Sequence, residues 1–118
     1  MEKRKILTAA EKDHKRRLKD LNKNLPGMID DVTRFDSVTT QPGLNILYHY
    51  TLCNINRAFN PGHFIAYMKN KIIQQFKTNP KTLKDIKDGF TYIYIYSRDR
   101  GKRKEIGRFK INKETQGL

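Results

Sequence analysis

The strongest constraint on the fold is an alternation in residues 44–54, LNILYHYTLCN. Ile46, Tyr48, Tyr50 and Leu52 form one apolar row, and Leu47, His49, Thr51 and Cys53 form a mixed one. A period of two over this length predicts a strand with one buried face. A second stretch repeats the device: Phe90, Tyr92, Tyr94 and Tyr96 alternate with Thr91, Ile93, Ile95 and Ser97. The direction of these tyrosines bears on function. Facing water, they make an aromatic platform of the kind on which nucleic-acid bases stack. Facing inward, they are core.

Two amphipathic helices flank these strands. Thr8 and Glu11 have the spacing of a capping box, and behind them runs a stripe of Leu7, Ala10, His14, Leu18, Leu21 and Leu25. This predicts a helix over about residues 8–24, docked by a narrow apolar edge. Lys12, Lys15, Arg16 and Lys19 fall mostly off the stripe. The helix lacks Trp and Phe, which argues against a membrane-surface role. Asn60 and Pro61 open a second helix with a cap and a proline at its first position. Its broad apolar face holds Phe64, Ile65, Met68, Ile72, Ile73 and Phe76, and Thr78, Asn79 and Pro80 stop it. A strand over about 31–39 precedes the turn Gln41-Pro42-Gly43, which predicts an antiparallel hairpin with the 44–54 strand. Residues 81–89 read as a short basic connector. Strands over 90–97 and about 104–111 follow, joined by a turn at Gly101. The tail, 112–118, is expected to fray. The predicted order is α-β-β-α-β-β. It implies an α+β two-layer sandwich, with two helices on one face of a four-stranded antiparallel sheet. The chain, 1–118, makes one domain with an ordered core over about 8–111. Helices with apolar faces need a floor, and the tyrosine rows are the most continuous ones available, so they are expected to face inward. A tyrosine buries its ring at little cost when its hydroxyl reaches the rim of the layer. The opposite row, with His49 and Thr51, suits water better, although it exposes Ile93 and Ile95.

The net charge is +13, and it is unevenly placed. Residues 1–25 hold nine Lys and Arg against four acids, and residues 97–113 hold eight against two. Residues 26–56 are net acidic. Such a field favours anionic partners: nucleic acid, an anionic membrane or an acidic protein. The candidate anion-binding or nucleic-acid-binding residues are Arg98, Arg100, Lys102, Arg103, Lys104, Arg108 and Lys110 in the last hairpin, with Lys12, Lys15, Arg16 and Lys19 on the first helix. No motif of nucleotide, metal or serine-hydrolase chemistry occurs. His49 and Cys53 share a strand face but stand roughly 13 Å apart, too far for a nucleophile and its base. Asp30, Asp31 and Asp36 lack metal partners at matched spacing, and Arg34 is placed to pair with a neighbouring acid. The single cysteine excludes an internal disulfide. No catalytic residue, metal or cofactor is therefore expected. The expected function is a small non-enzymatic interaction module that binds another macromolecule, a protein first, through the open sheet face or the basic hairpin. The alternatives are a nucleic-acid-binding protein that contacts phosphates non-specifically, and an inhibitor or immunity-type protein for an acidic partner. The sequence as it stands shows no apolar leader, which predicts a cytoplasmic location, or the cell envelope if a leader or anchor was removed.

A set of short motifs adds to this reading. They are Leu25, Pro26, Met28, Ile29 and Asp30; Thr33, Arg34, Phe35 and Asp36; Pro42 and Gly43; Tyr48, Tyr50, Thr51, Leu52 and Asn54; and Lys77, Thr78, Asn79 and Pro80. Together they resemble a family of small, functionally uncharacterised bacterial proteins with the pattern LPxMVDxxTRLD…PG…YNYTLVN…KTNP…YxY. The resemblance spans about residues 20–97. It implies an α+β domain, often behind a signal peptide or membrane anchor and hence in the cell envelope, and no catalytic residues. The residue between the two tyrosines tends to be polar in that pattern, in keeping with an inward tyrosine row. This chain departs from the pattern at Ile95 and in its strong basic charge.

Overall fold

Alternation drives the long strands of this protein, and a 3.6-residue period drives its two longer helices. The computed structural model describes residues 9–53, 55, 59–99, 103–115, 117 and 118. In chain order these form α1 (Ala9–Asn22), β1 (Gly27–Met28), β2 (Thr33–Gln41), β3 (Asn45–Leu52), α2 (Pro61–Lys77), α3 (Pro80–Lys87), β4 (Thr91–Asp99) and β5 (Arg103–Ile111). The capping box at Thr8 and the turn at Gly101 lie outside the described residues.

The architecture corrects the predicted sandwich. Among the described residues there are three helices and a five-stranded mixed sheet of order β1-β2-β3-β4-β5, in place of two helices and four antiparallel strands. Three physical reasons account for the difference. The Thr78-Asn79-Pro80 stop is also a start: the Asn79 side chain accepts from the backbone N–H of Lys81 and Thr82, and Pro80 takes the first position of α3. The supposed connector is therefore a helix that buries Ile86. β1 is only two residues long and too short for any alternation to mark it. Finally, α2 and α3 carry the chain from the end of β3 back to its start, so β3 and β4 pair in parallel as a crossover. The other pairs are antiparallel.

The β2–β3 hairpin turns at Pro42, Gly43 and Leu44. Gly43 has a φ of 91°, a conformation glycine adopts without a Cβ penalty. The Asn45 side chain donates to the Pro42 carbonyl and closes the turn.

The tyrosines face inward. Tyr50 stacks on Tyr96 and Tyr48 on Tyr94, with centroids 5.0 and 5.1 Å apart. Phe35 extends the stack on β2 and Phe109 on β5. α2 seats two rings edge-on against this layer, Phe76 on Tyr92 and Phe64 on Tyr96. The Tyr92 hydroxyl reaches the rim and donates to Asp85 of α3 at 2.7 Å. Burial pushes the Tyr48 and Tyr96 hydroxyls up to about 12 and raises those of Tyr50, Tyr92 and Tyr94 further. On the other face Thr51 is fully buried and Ile95 nearly so, although the alternation left Ile95 exposed.

Candidate functional site

The two helices that cover the sheet dock differently. α2 lays a wide apolar face on β4 and β5, burying Ile73 and Phe76. It comes so close to β5 that a Cβ added to Gly107 would stand 2.7 Å from Cγ1 of Ile65. α1 sits on β2 by a narrow edge. Leu18 joins the core, whereas Leu21 of the same stripe stays exposed. An amide clamp compensates. The Asn22 side chain donates to the Val38 carbonyl and accepts from the Val38 N–H, both at 2.8 Å. Asn22 thus occupies the backbone edge of β2 where no neighbouring strand pairs, because β1 begins only at Gly27, opposite Phe35.

This narrow docking leaves a groove of about 590 Å³ between α1 and β2. Its lining includes Lys12, Lys15, Arg16 and Lys19 along one flank of α1. All four are exposed. Their spacing of three to four residues puts them on one side of the helix. Leu18 and Val38 form an apolar floor, and Thr39 and Thr40 add hydroxyls from the β2 edge. No acidic residue lines the groove among the described residues. The alternation and charge pattern reveal the four cations but not the groove. Asn22, Val38, Thr39 and Thr40 went unsingled, and the only sequence signal for Asn22 is a polar residue one turn after Leu18.

The last hairpin lies elsewhere. β5 is at the opposite edge of the sheet from β2's outer flank. Arg108 and Lys110 sit opposite Ile95 and Ile93 in register, on the face turned away from the helices. Arg108 donates through Nε to Glu105 at 2.9 Å, and its Nη2 donates to the same carboxylate. This pair holds the Glu105 carboxyl below its ordinary value, chiefly by the hydrogen bonds from Arg108. Lys104 is exposed. Arg98 lies half-buried on the inner face, with its Cζ 5.8 Å from the Phe59 ring centroid. Arg100 and Lys102 lie outside the described residues, and Arg103 is described only in its backbone. The structure therefore brings the α1 cations together and separates them from Arg108 and Lys110 by the width of the sheet.

Most of the groups weighed for chemistry are bound up in structure, while Asp31 is exposed. Arg34 donates to Asp36 at 2.6 Å, and Thr51 donates to the other oxygen of the same carboxylate. His49 bonds the Thr39 hydroxyl at 2.8 Å. Asp30 accepts from the Val32 and Thr33 N–H groups, which hold its carboxyl below the ordinary range. Cys53 is half-buried, its Sγ 4.0 Å from the Thr51 carbonyl. Among the described residues no group of three His, Cys, Asp or Glu is arranged to hold a metal ion. No described helix is long and apolar enough to cross a membrane.

No family model matches this sequence, and no curated protein does. Solved structures do. A candidate secreted protein from Pseudomonas aeruginosa is similar at a TM-score of 0.70 and 11% identity, over 86% of this chain and 88% of that one. EpsS, a pilotin of the Vibrio vulnificus type 2 secretion system, is similar at 0.64 and 10%, over 82% of both chains. AspS, a type II secretion system pilotin from Vibrio cholerae, is similar at 0.60 and 15%, over 84% of both. At these identities the likeness is one of fold, and it spans nearly the whole domain.

Proposed function

We propose that this protein is a non-enzymatic interaction module that holds an acidic, amphipathic segment of a partner protein in the groove between α1 and β2. The observation that carries the reading is the groove's lining, an apolar floor flanked by four cations with no acid among the described residues. A segment with an apolar stripe and acidic flanks matches both parts: the stripe removes Leu18 and Val38 from water, and the flanks meet Lys12, Lys15 and Lys19. The Asn22 clamp occupies the β2 edge at Val38, so a helix in the groove fits better than a strand added to the sheet. The shared fold with two pilotins supports a protein partner and a place in the cell envelope. The resemblance to the envelope-associated bacterial family points the same way.

Nucleic acid is the competing partner. It wants one continuous basic track, and here Lys12, Lys15, Arg16 and Lys19 are separated from Arg108 and Lys110 by the sheet. Titration by fluorescence anisotropy separates the two. The probes are a Leu/Glu amphipathic peptide, the same peptide with Lys for Glu, and a random DNA duplex, each over a salt series. The acidic peptide is expected to bind, and the Lys peptide is not. Tight duplex binding with a steep salt dependence, together with no peptide binding, would overturn the proposal.

A further inference from the structure

The tip of the β1–β2 hairpin turns apolar side chains outward. Of the six large apolar residues left exposed among the described residues, three sit in this one turn: Met28 at 54%, Ile29 at 59% and Val32 at 39%. Its backbone is firmly bonded. The Ile29 N–H donates to the Thr33 carbonyl at 2.9 Å, and the Cys53 N–H donates to the Val32 carbonyl at 2.7 Å. Asp30 Oδ1 accepts from the N–H groups of Val32 and Thr33. These apolar side chains are therefore displayed by a built turn and not by a fraying end. Single exposed apolar residues are ordinary, but a group of them marks a contact surface. Asp30 and Asp31 are exposed in the same turn. The tip is thus an apolar and acidic knob on a chain of net charge +13.

The groove between α1 and β2 has the opposite chemistry. Leu18 and Val38 offer an apolar floor, Lys12, Lys15 and Lys19 offer cations, and no described acid lines it. The knob cannot reach the groove of its own chain. Thr33, where the turn ends, and Thr39 of the groove lie six residues apart along extended β2, roughly 20 Å. A second copy has no such constraint. The knob also enters as a turn, so it needs no backbone bonds at the β2 edge that Asn22 occupies.

We propose that the 28–32 tip of one copy docks in the α1–β2 groove of a second copy, with Met28 and Ile29 on Leu18 and Val38 and with Asp31 against Lys15 and Lys19. The contact is heterologous. Each copy gives its tip to one neighbour and its groove to another, so assembly runs head to tail. This docking rests on the proposed function in one respect, that the groove receives carboxylates beside apolar groups. Self-association and the partner segment then exclude each other. Copies of net charge +13 repel at long range, and a contact of so few side chains belongs to the weak class. Monomers therefore prevail at micromolar concentration, and assembly grows towards the millimolar range.

The test is sedimentation velocity of the full chain over a concentration series. The unaltered protein should sediment faster as its concentration rises, and the acidic Leu/Glu peptide should return it to monomers. Asp31→Lys reverses the tip, and Lys15→Glu with Lys19→Glu reverses the groove. All three side chains are exposed, so both variants should keep the circular dichroism of the unaltered protein. Each variant alone should stay monomeric. An equimolar mixture should associate again, because reversed tip then meets reversed groove. Ile29→Ser keeps every charge and should weaken association by about tenfold. A protein that stays monomeric into the millimolar range would overturn the docking, as would association undiminished in either variant or a mixture that stays monomeric. If the acidic peptide binds at α1 while the protein never self-associates, the docking falls and the proposed function stands. If tip and groove associate as described while the peptide binds nowhere, the docking stands and the partner-segment reading falls.

Discussion

The two flanks of the sheet hold their helices by opposite means. On the β4–β5 flank, α2 buries Ile73 and Phe76, and Gly107 lets it approach to contact. On the β2 flank, α1 buries Leu18, leaves Leu21 exposed and is tied to the strand edge by the Asn22 amide. The first flank is closed and apolar. The second rests, among the described residues, on Leu18 and the Asn22 amide and leaves a basic groove beside them. The difference teaches where each kind of work is done. α2 and the tyrosine layer supply stability, and α1 presents a surface.

Four results would break or sharpen that contrast. The largest effect belongs to the tyrosine layer. A tyrosine whose folded value is raised stabilises the protein fully below its unfolded value near 10, and that stabilisation is lost as pH rises towards the folded value. For Tyr48 and Tyr96 the window runs from about 10 to about 12. Unfolding and tyrosinate absorbance should therefore rise together in alkali. Tyrosines that ionise near pH 10 in a protein of unchanged circular dichroism would mean that the layer faces water. Next, Phe76→Ala should lower unfolding free energy by about 3–5 kcal/mol in urea melts. Gly107→Ala presses a methyl into Ile65 and should cost about 1–3 kcal/mol. Asn22→Ala removes both hydrogen bonds to Val38 and should cost about 1–2 kcal/mol, with faster hydrogen exchange confined to α1 and the β2 edge. If Asn22→Ala destabilised the whole domain as much as Phe76→Ala does, the two flanks would not differ as argued.

Much of the fold was legible in the residues, and the parts that were not have physical causes. The Asn60-Pro61 start of α2 and the inward tyrosines follow directly from capping and alternation. Asn79-Pro80 carries the same start signal, but the eight residues of α3 are short and Lys-rich, so they read as a connector. Parallel pairing of β3 and β4 is invisible to alternation in β3. It is hinted at in β4, where tyrosines on one face and Ile93 and Ile95 on the other make a nearly continuous apolar run, as buried parallel strands do. The four cations on α1 were visible as a charged face. Their groove was not, because it depends on β1 beginning only at Gly27, opposite Phe35, and leaving the β2 edge at Val38 to Asn22. The charge of the last hairpin was equally visible, yet Arg98 turns inward and Arg108 is paired with Glu105.

The groove is tested most directly by its location on the protein. Backbone amide shifts of the full chain should be followed while the acidic Leu/Glu peptide is added, beside a Lys15→Glu, Lys19→Glu double variant. These side chains are exposed, so the variant should keep its stability within about 0.5 kcal/mol. The predicted result is a saturable set of shifts confined to α1 and to residues 38–40, absent in the variant. Shifts centred on the β4–β5 hairpin, or shifts that persist in the folded variant, would contradict the assignment of the α1 groove.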